Sequence, residues 1–230
     1  MDRTWTLHWL QAAGTLAPWR PKIRAEIEAA FAACATVVTP PRVDIVIHQI
    51  PHWPVPELGF GGSAPSRTTM FLAFDTENPA MEANLVGGLR RVVLHEAHHC
   101  LRHAGPGYGN TLGEALVSEG LASRFVMEIL GGEPEPWNVA LDEVELRRVA
   151  AIAEPELDDE GYDHDRWFIG RRNARRLPRW AGYSLGWHLV GTYLERVPDA
   201  KPSRLARMPG AEIISRAWDS VSGRAEMVSS

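Results

Sequence analysis

Two long amphipathic segments in the middle of the chain constrain its fold most. After Asn78-Pro79, apolar residues recur with helical spacing over residues 81–103, and they do so again over residues 111–130. Ala104-Gly105-Pro106-Gly107 separates the two segments, and Gly131-Gly132 follows the second. The sequence therefore predicts two long helices joined by a glycine-rich turn.

The part of the chain before these helices is typical of a small sheet. Residues 4–9 alternate polar and apolar side chains, and residues 43–47 and 68–75 are rich in β-branched and aromatic residues. They predict three strands, with an amphipathic helix over residues 22–34 after the first. Prolines and glycines over residues 51–66 predict a long ordered loop. We expect the strand over residues 68–75 at the sheet edge, where an extended peptide could add by backbone pairing.

The rest of the chain is predicted to be helical. Helical spacing of apolar residues recurs over residues 139–153, 182–196 and 211–220. Strands early and helices late favour an α+β fold, with a small N-terminal mixed sheet packed on the helix over residues 81–103 and a helical C-terminal lobe. We expect residues 1–105 and 106–230 to be two lobes of one catalytic domain.

Composition narrows the class of protein. The chain has 230 residues, 45% hydrophobic and 23% charged, as in a globular protein with one sizeable core. No apolar run approaches the roughly 18–20 residues of a membrane span, and the first residues lack the apolar region of a signal peptide. We therefore expect a cytoplasmic protein that binds no membrane, with Cys34 and Cys100 as buried thiols. A net charge of −5 argues against a nucleic-acid partner.

The first long helix carries an H-E-x-x-H string, His95-Glu96-Ala97-His98-His99. At about 100° per residue, His99 lies roughly 40° from His95 around the helix and one turn further along it, so both imidazoles can reach one zinc ion. Glu96 lies on the neighbouring edge of the same face, where it can contact a metal-bound water without binding the metal. Apolar residues share this sector, which argues against an ordinary solvated face.

A catalytic zinc needs a third protein ligand and an open position. His103 lies about 12 Å along the helix axis from His95, too far to share its metal. On the second long helix, Glu119 falls in the middle of the apolar face, whereas Glu114 and Glu128 lie on the opposite side and are expected to be solvated. Because a carboxylate buried without a partner is costly, we predict that Glu119 is the third zinc ligand.

A helix with HExxH followed by a glutamate on the next helix resembles the gluzincin metallopeptidases. The string at residues 95–99, Leu116-Val117-Ser118-Glu119-Gly120-Leu121-Ala122 and Gly182-Tyr183-Ser184-Leu185-Gly186-Trp187 are similar to a bacterial family of predicted zinc-dependent proteases classed as a domain of unknown function. The resemblance covers about residues 68–196. It implies a zincin-like α+β fold, the zinc ligands His95, His99 and Glu119, and Glu96 as the catalytic base.

We predict that Tyr183 stabilises the oxyanion of the transition state. The helix over residues 182–196 is apolar almost all round, so it should be buried against the helices that carry the site. A buried phenol needs a hydrogen-bond partner, and an oxyanion that develops near the zinc would be one. Two alternatives stay open: Tyr183 anchors its helix through a backbone carbonyl, or His188 is the donor.

The leading hypothesis is a zinc metallopeptidase that acts on a peptide or protein substrate. Its alternatives are a zinc-dependent hydrolase of a non-peptide amide and a regulatory or binding module that retains the zinc site. An intact Glu96 argues against the module, because a structural zinc needs no base. The sequence indicates no particular oligomeric state.

Six arginines between residues 166 and 179 follow an acidic stretch over residues 154–165. We expect them to pair with that stretch, and recognition of an acidic substrate or partner is the alternative.

Overall fold

A computed structural model describes residues 4–51, 55–170 and 177–224. The chain divides into two compact units, Met1–Ala104 and Gly105–Ser230. Across the described ranges, none of the helices combines the length and the apolar character that crossing a bilayer requires.

The first unit consists of a four-stranded sheet and two helices in its described part. In chain order these are β1 (Trp5–Trp9), α1 (Arg20–Ala35), β2 (Val43–Gln49), β3 (Phe60–Ser66), β4 (Thr69–Phe74) and α2 (Pro79–Arg102). The strand order is β1-β2-β4-β3, and only the β3–β4 pair is antiparallel. Ile45, Ile47, Met70 and Leu72 are fully buried, and α2 packs on β3 and β4. The predicted mixed sheet on the HExxH helix is confirmed.

The sequence prediction is wrong for β3 and for the position of β4. Phe60–Ser66 was expected in a loop but pairs with β4, so β4 lies inside the sheet and β3 forms its edge. Strands disfavour glycine and proline, so residue preferences alone did not predict β3, which contains Gly61, Gly62 and Pro65. An edge position tolerates them because one side of the strand needs no ladder partner, and the register shifts between Ser63 and Ser66.

Helix α2 is broken at Val86 and Gly87. Gly87 has φ 84° and ψ −49°, a left-handed conformation that suits glycine. Glu26 of α1 reaches this break, where its Oε2 accepts the Gly87 N–H at 3.0 Å and its Oε1 accepts from Arg90 at 3.2 Å. Glu26 is therefore a capping residue, supplied by another helix, for the part of α2 that carries the H-E-x-x-H string.

The second unit is helical in its described part. It contains α3 (Leu112–Leu130), α4 (Glu143–Ala153), α5 (Ala181–Arg196), α6 (Pro202–Leu205) and α7 (Gly210–Val221), with short 3₁₀ turns at Pro136–Val139 and Glu154–Glu156 and a π turn at Asp165–Ile169. Thr111 caps α3 in a capping box with Glu114, and Asp142 caps α4 in the same way with Glu145. The helix predicted over residues 139–153 begins later, at Glu143, because of that cap. The α+β class is confirmed.

Helices α3 and α5 pack through two glycines. A Cβ added to Gly120 would lie 2.2 Å from the Gly186 carbonyl oxygen, and one added to Gly186 would lie 2.3 Å from the Leu116 carbonyl oxygen. These distances are far below van der Waals contact. The two backbones therefore approach so closely that neither position has room for a side chain. Arg124 joins the same helices, since its guanidinium lies 3.4 Å from the centre of the Trp187 ring and donates to the Trp187 carbonyl.

The arginine cluster is described only in part. Arg166 forms a two-fold hydrogen-bonded pair with Glu156, at 3.1 and 3.2 Å, which agrees with the expected pairing to the acidic stretch. Arg171, Arg172, Arg175 and Arg176 lie outside the described residues.

The glycine contact predicts a large penalty for a single methyl group. Gly120→Ala should destabilise the second unit by about 2–3 kcal/mol, because the obstacle is a backbone carbonyl that cannot rotate away. Gly210→Ala is the matched control, since its Cβ would find its nearest atoms at 3.4 Å, an ordinary contact. Urea unfolding followed by circular dichroism measures both. Equal midpoints for the two variants would contradict the importance of the glycine crossing.

Candidate metal centre

The first unit brings His95 and His99 together on consecutive turns of α2. Their Nε2 atoms are 3.0 Å apart, and their rings meet edge to face with centres 4.7 Å apart. His95 is half-buried and His99 is buried. The i, i+4 spacing in a helix produces this arrangement, and the cap at Gly87 sets where that helical segment begins.

His103, the next histidine on α2, has a different role. Its Nε2 lies 2.9 Å from the Ala64 carbonyl oxygen of β3, to which it donates a hydrogen bond. Burial lowers the pKa of His103, which favours the neutral ring that this bond requires. His103 thus joins helix and edge strand, in agreement with its exclusion as a metal ligand on distance grounds.

Glu96 is buried against the edge strand. Only 7% of its surface is exposed, and a Cβ on Gly62 would lie 2.5 Å from its Cγ and 3.0 Å from its Cδ. The glycine in β3 therefore makes the space that the Glu96 side chain occupies.

Burial raises the pKa of the Cys100 thiol to about 12, and the charge of Glu96 adds to this shift. Cys34 and Cys100 are both free and buried, as predicted.

The second unit holds Glu119 in a hydrogen-bonded setting. Glu119 lies on α3 with 6% of its surface exposed, and the Tyr108 hydroxyl donates to its Oε1 at 2.8 Å. Ser118 Oγ donates to the Tyr108 carbonyl at 2.6 Å.

The expectation that Glu114 and Glu128 are solvated is wrong in detail. Both are half-buried, and they accept the backbone N–H groups of Asn110 and Ser203 respectively.

Two tyrosines that interact with Glu119, Tyr108 and Tyr162, have raised pKa values. Burial is the main cause of a Tyr108 pKa well above the usual range, and the charges of Glu119, Tyr183 and Tyr162 add to it. The pKa of Tyr162 is raised to about 12 by burial and then by Glu119. Tyr108 and Tyr162 are therefore neutral hydrogen-bond donors at neutral pH. Tyr183 is half-buried, and its ring meets Phe168 edge to face at 5.1 Å.

His188, the alternative to Tyr183, lies in a different environment. Burial lowers the pKa of His188, and the positive charge of Arg124 lowers it further. The charge of Tyr183 acts on Tyr108, whereas the charges of Arg124 and Glu195 act on His188.

Tyr108 and Tyr162 are residues that the sequence analysis missed. Both stand outside regular helices and strands, Tyr108 before the cap of α3 and Tyr162 in the acidic stretch. The helical spacing that identified Glu119 says nothing about such positions. The glycines around Tyr108, Gly107 and Gly109, were the one available signal of a tight turn that returns to the start of α3.

Comparison with known proteins places the chain in a family. A family profile described as "Predicted Zn-dependent protease (DUF2268)" matches residues 23–215. This range includes the H-E-x-x-H string of α2 and the Glu119 region of α3.

Among curated proteins, the chain is similar to an uncharacterized protein, YjfC, of Bacillus subtilis (strain 168). The two are 28% identical over 117 residues, which cover 46% of this chain and 39% of YjfC. The chain thus spans well under half the length of that relative.

Proposed function

Because the chain belongs to the family of predicted Zn-dependent proteases (DUF2268), we propose that it is a zinc metallopeptidase of gluzincin type. We propose His95, His99 and Glu119 as the zinc ligands, Glu96 as the general base and Tyr183 as the oxyanion donor. The observation that carries the proposal is the His95–His99 pair, two imidazole nitrogens 3.0 Å apart directly beside a buried glutamate.

The donor set fits zinc. Two tetrahedral zinc ligands at bond lengths of 2.0–2.1 Å lie about 3.3 Å from each other, close to the separation of the His95 and His99 nitrogens. Two histidines with one glutamate leave one position of a tetrahedral ion for water or substrate, as catalytic zinc sites do. We propose Glu119 as the carboxylate of this set, because it is a buried glutamate on α3.

Glu96 has the position and the chemistry of a base. It follows His95 directly, so on the helix it stands beside the ligand pair and not within it. A bound zinc would lower the pKa of a water molecule and polarise the scissile carbonyl. Glu96 would take the proton from that water and deliver it to the leaving amine, as general acid–base catalysis requires. A purely structural or sensory zinc site would have no use for this carboxylate, which favours an enzyme.

Tyr183 would donate its hydroxyl proton as a hydrogen bond to the developing oxyanion. We favour Tyr183 over His188 because its charge acts on Tyr108, the phenol that donates to Glu119. Such a donor stabilises charge that exists only in the transition state, so it accelerates the reaction without tightening substrate binding.

The edge strand β3 would hold an extended peptide substrate. One side of β3 pairs with β4, and β3 is the last strand in the order of the sheet. Gly62 of this strand lies against Glu96, so a peptide that adds to β3 would pass close to the base. This replaces the expectation that residues 68–75 form the docking edge.

The metal assignment predicts a contrast between two glutamates of α3. The purified protein should hold one zinc per chain, and Glu119→Gln should remove most of it, because an amide is a poor zinc ligand. Glu114→Gln is the matched control on the same helix, since glutamine at this position keeps the capping box. Elemental analysis after dialysis gives the metal content. Equal zinc in both variants would contradict the ligand assignment.

The base assignment predicts the effect of a substitution in β3. Gly62→Ala should push the Glu96 side chain aside, lowering kcat for a fluorogenic peptide by roughly 10–100-fold while zinc content stays unchanged. Glu96→Gln should lower kcat by about 100-fold or more, again with zinc retained. Gly88→Ala, whose Cβ would find its nearest atom at 3.4 Å, should change neither quantity. Full turnover in Glu96→Gln would exclude Glu96 as the base.

The oxyanion assignment predicts the effect of removing one hydroxyl. Tyr183→Phe keeps the contact with Phe168, so kcat should fall by about 10–1,000-fold, with zinc content and melting temperature nearly unchanged. Steady-state kinetics and differential scanning fluorimetry measure both quantities. If kcat holds while the melting temperature drops, Tyr183 anchors its helix and His188→Ala becomes the variant to measure.

A further inference from the structure

The hydrogen bond from Tyr108 to Glu119 is a contact that the proposed mechanism does not use. The hydroxyl lies 2.8 Å from Oε1, and Tyr108 is held in turn by the Ser118 hydroxyl, which donates to its carbonyl at 2.6 Å. Ser118 and Glu119 are neighbours on α3. The carboxylate and the phenol that binds it are therefore fixed to the same helix by consecutive residues.

We propose that Tyr108 is a positioning residue for the metal, which orients the Glu119 carboxylate by occupying Oε1 and directs Oε2 to the ion. This inference rests on the proposed function, because it presupposes that Glu119 is a zinc ligand.

Two physical arguments support this role. First, a carboxylate that binds a metal through one oxygen has a second oxygen that needs a donor, and partners of this kind typically contribute 10–100-fold to metal affinity. Second, the bond fixes the torsion angles of Glu119, which otherwise costs side-chain entropy when the metal binds. Since Tyr108 is anchored through its own backbone by Ser118, the donor is already in place before any ion arrives.

A purely structural reading of the same bond is that the phenol only satisfies a buried carboxylate. Both readings predict that the loss of the hydroxyl lowers stability, so stability alone does not separate them. They differ in metal affinity, because a structural bond changes folding but not the binding of zinc to protein that is already folded.

The test measures zinc affinity in Tyr108→Phe by competition with a chromophoric chelator, at a temperature where the metal-free protein is folded. We expect the Kd for zinc to rise by about 10–100-fold. The visible absorption of the cobalt(II)-substituted protein should change as well, since it reports on coordination geometry. Tyr193→Phe is the matched control, because it removes a tyrosine hydroxyl from the same unit that contacts the sulfur of Met208 instead of Glu119. Its Kd should equal that of the wild type.

The outcomes distinguish a failure of the proposed function from a failure of the Tyr108 inference alone. Wild-type protein that binds no zinc would overturn the proposed function and this inference with it. Zinc binding that is lost in Glu119→Gln but unchanged in Tyr108→Phe would overturn the inference alone. If Tyr108→Phe does not fold, Ser118→Ala takes its place, because it keeps both the phenol and the carboxylate and releases only the Tyr108 backbone. A Kd that rises several-fold in Ser118→Ala supports the positioning role, and an unchanged Kd contradicts it.

Discussion

The cost of burying a carboxylate is the constraint on which both units depend. Glu26 and Glu119 are each more than nine-tenths buried, and each has a donor from outside its own helix. Glu26 of α1 accepts from Gly87 and Arg90 of α2, whereas Glu119 of α3 accepts from Tyr108 in the preceding turn. Without these donors, burying each carboxylate would cost several kcal/mol of folding free energy, or the group would become protonated. The buried acids therefore fix how neighbouring segments approach, in addition to any chemistry that they perform.

Periodicity predicted most of the fold because the helices are long and strongly patterned. The segments over residues 81–103 and 111–130 lie within one to two residues of α2 and α3 at each end. Strand β3 could not be found in this way, because its pairing with β4 provides what Gly61, Gly62 and Pro65 lack in intrinsic preference. The break in α2 was equally hidden, since the residue that stabilises it, Glu26, is about 60 positions away in the sequence.

The same division applies to the candidate centre. His95, Glu96, His99 and Glu119 lie on helices, where spacing translates directly into direction, so the sequence sufficed to propose them. Tyr108 and Tyr162 lie in turns, and their closeness to Glu119 arises from the path of the chain alone. Packing explains one glycine in each of the other two segments that resemble the family, residues 116–122 and 182–187. Gly120 and Gly186 are where α3 and α5 meet backbone to backbone.

The interruption of α2 at Val86 and Gly87 makes the helical phase of the residues after it independent of the turns before it. In a continuous helix, one inserted residue rotates everything downstream by about 100° and would turn the paired imidazoles away from their common direction. Here the segment after the break starts afresh at a cap supplied by α1, so its phase is set by Glu26 and not by the length of the turns before it. A residue gained or lost in the first turns of α2 would therefore not by itself rotate the turns that carry His95 and His99.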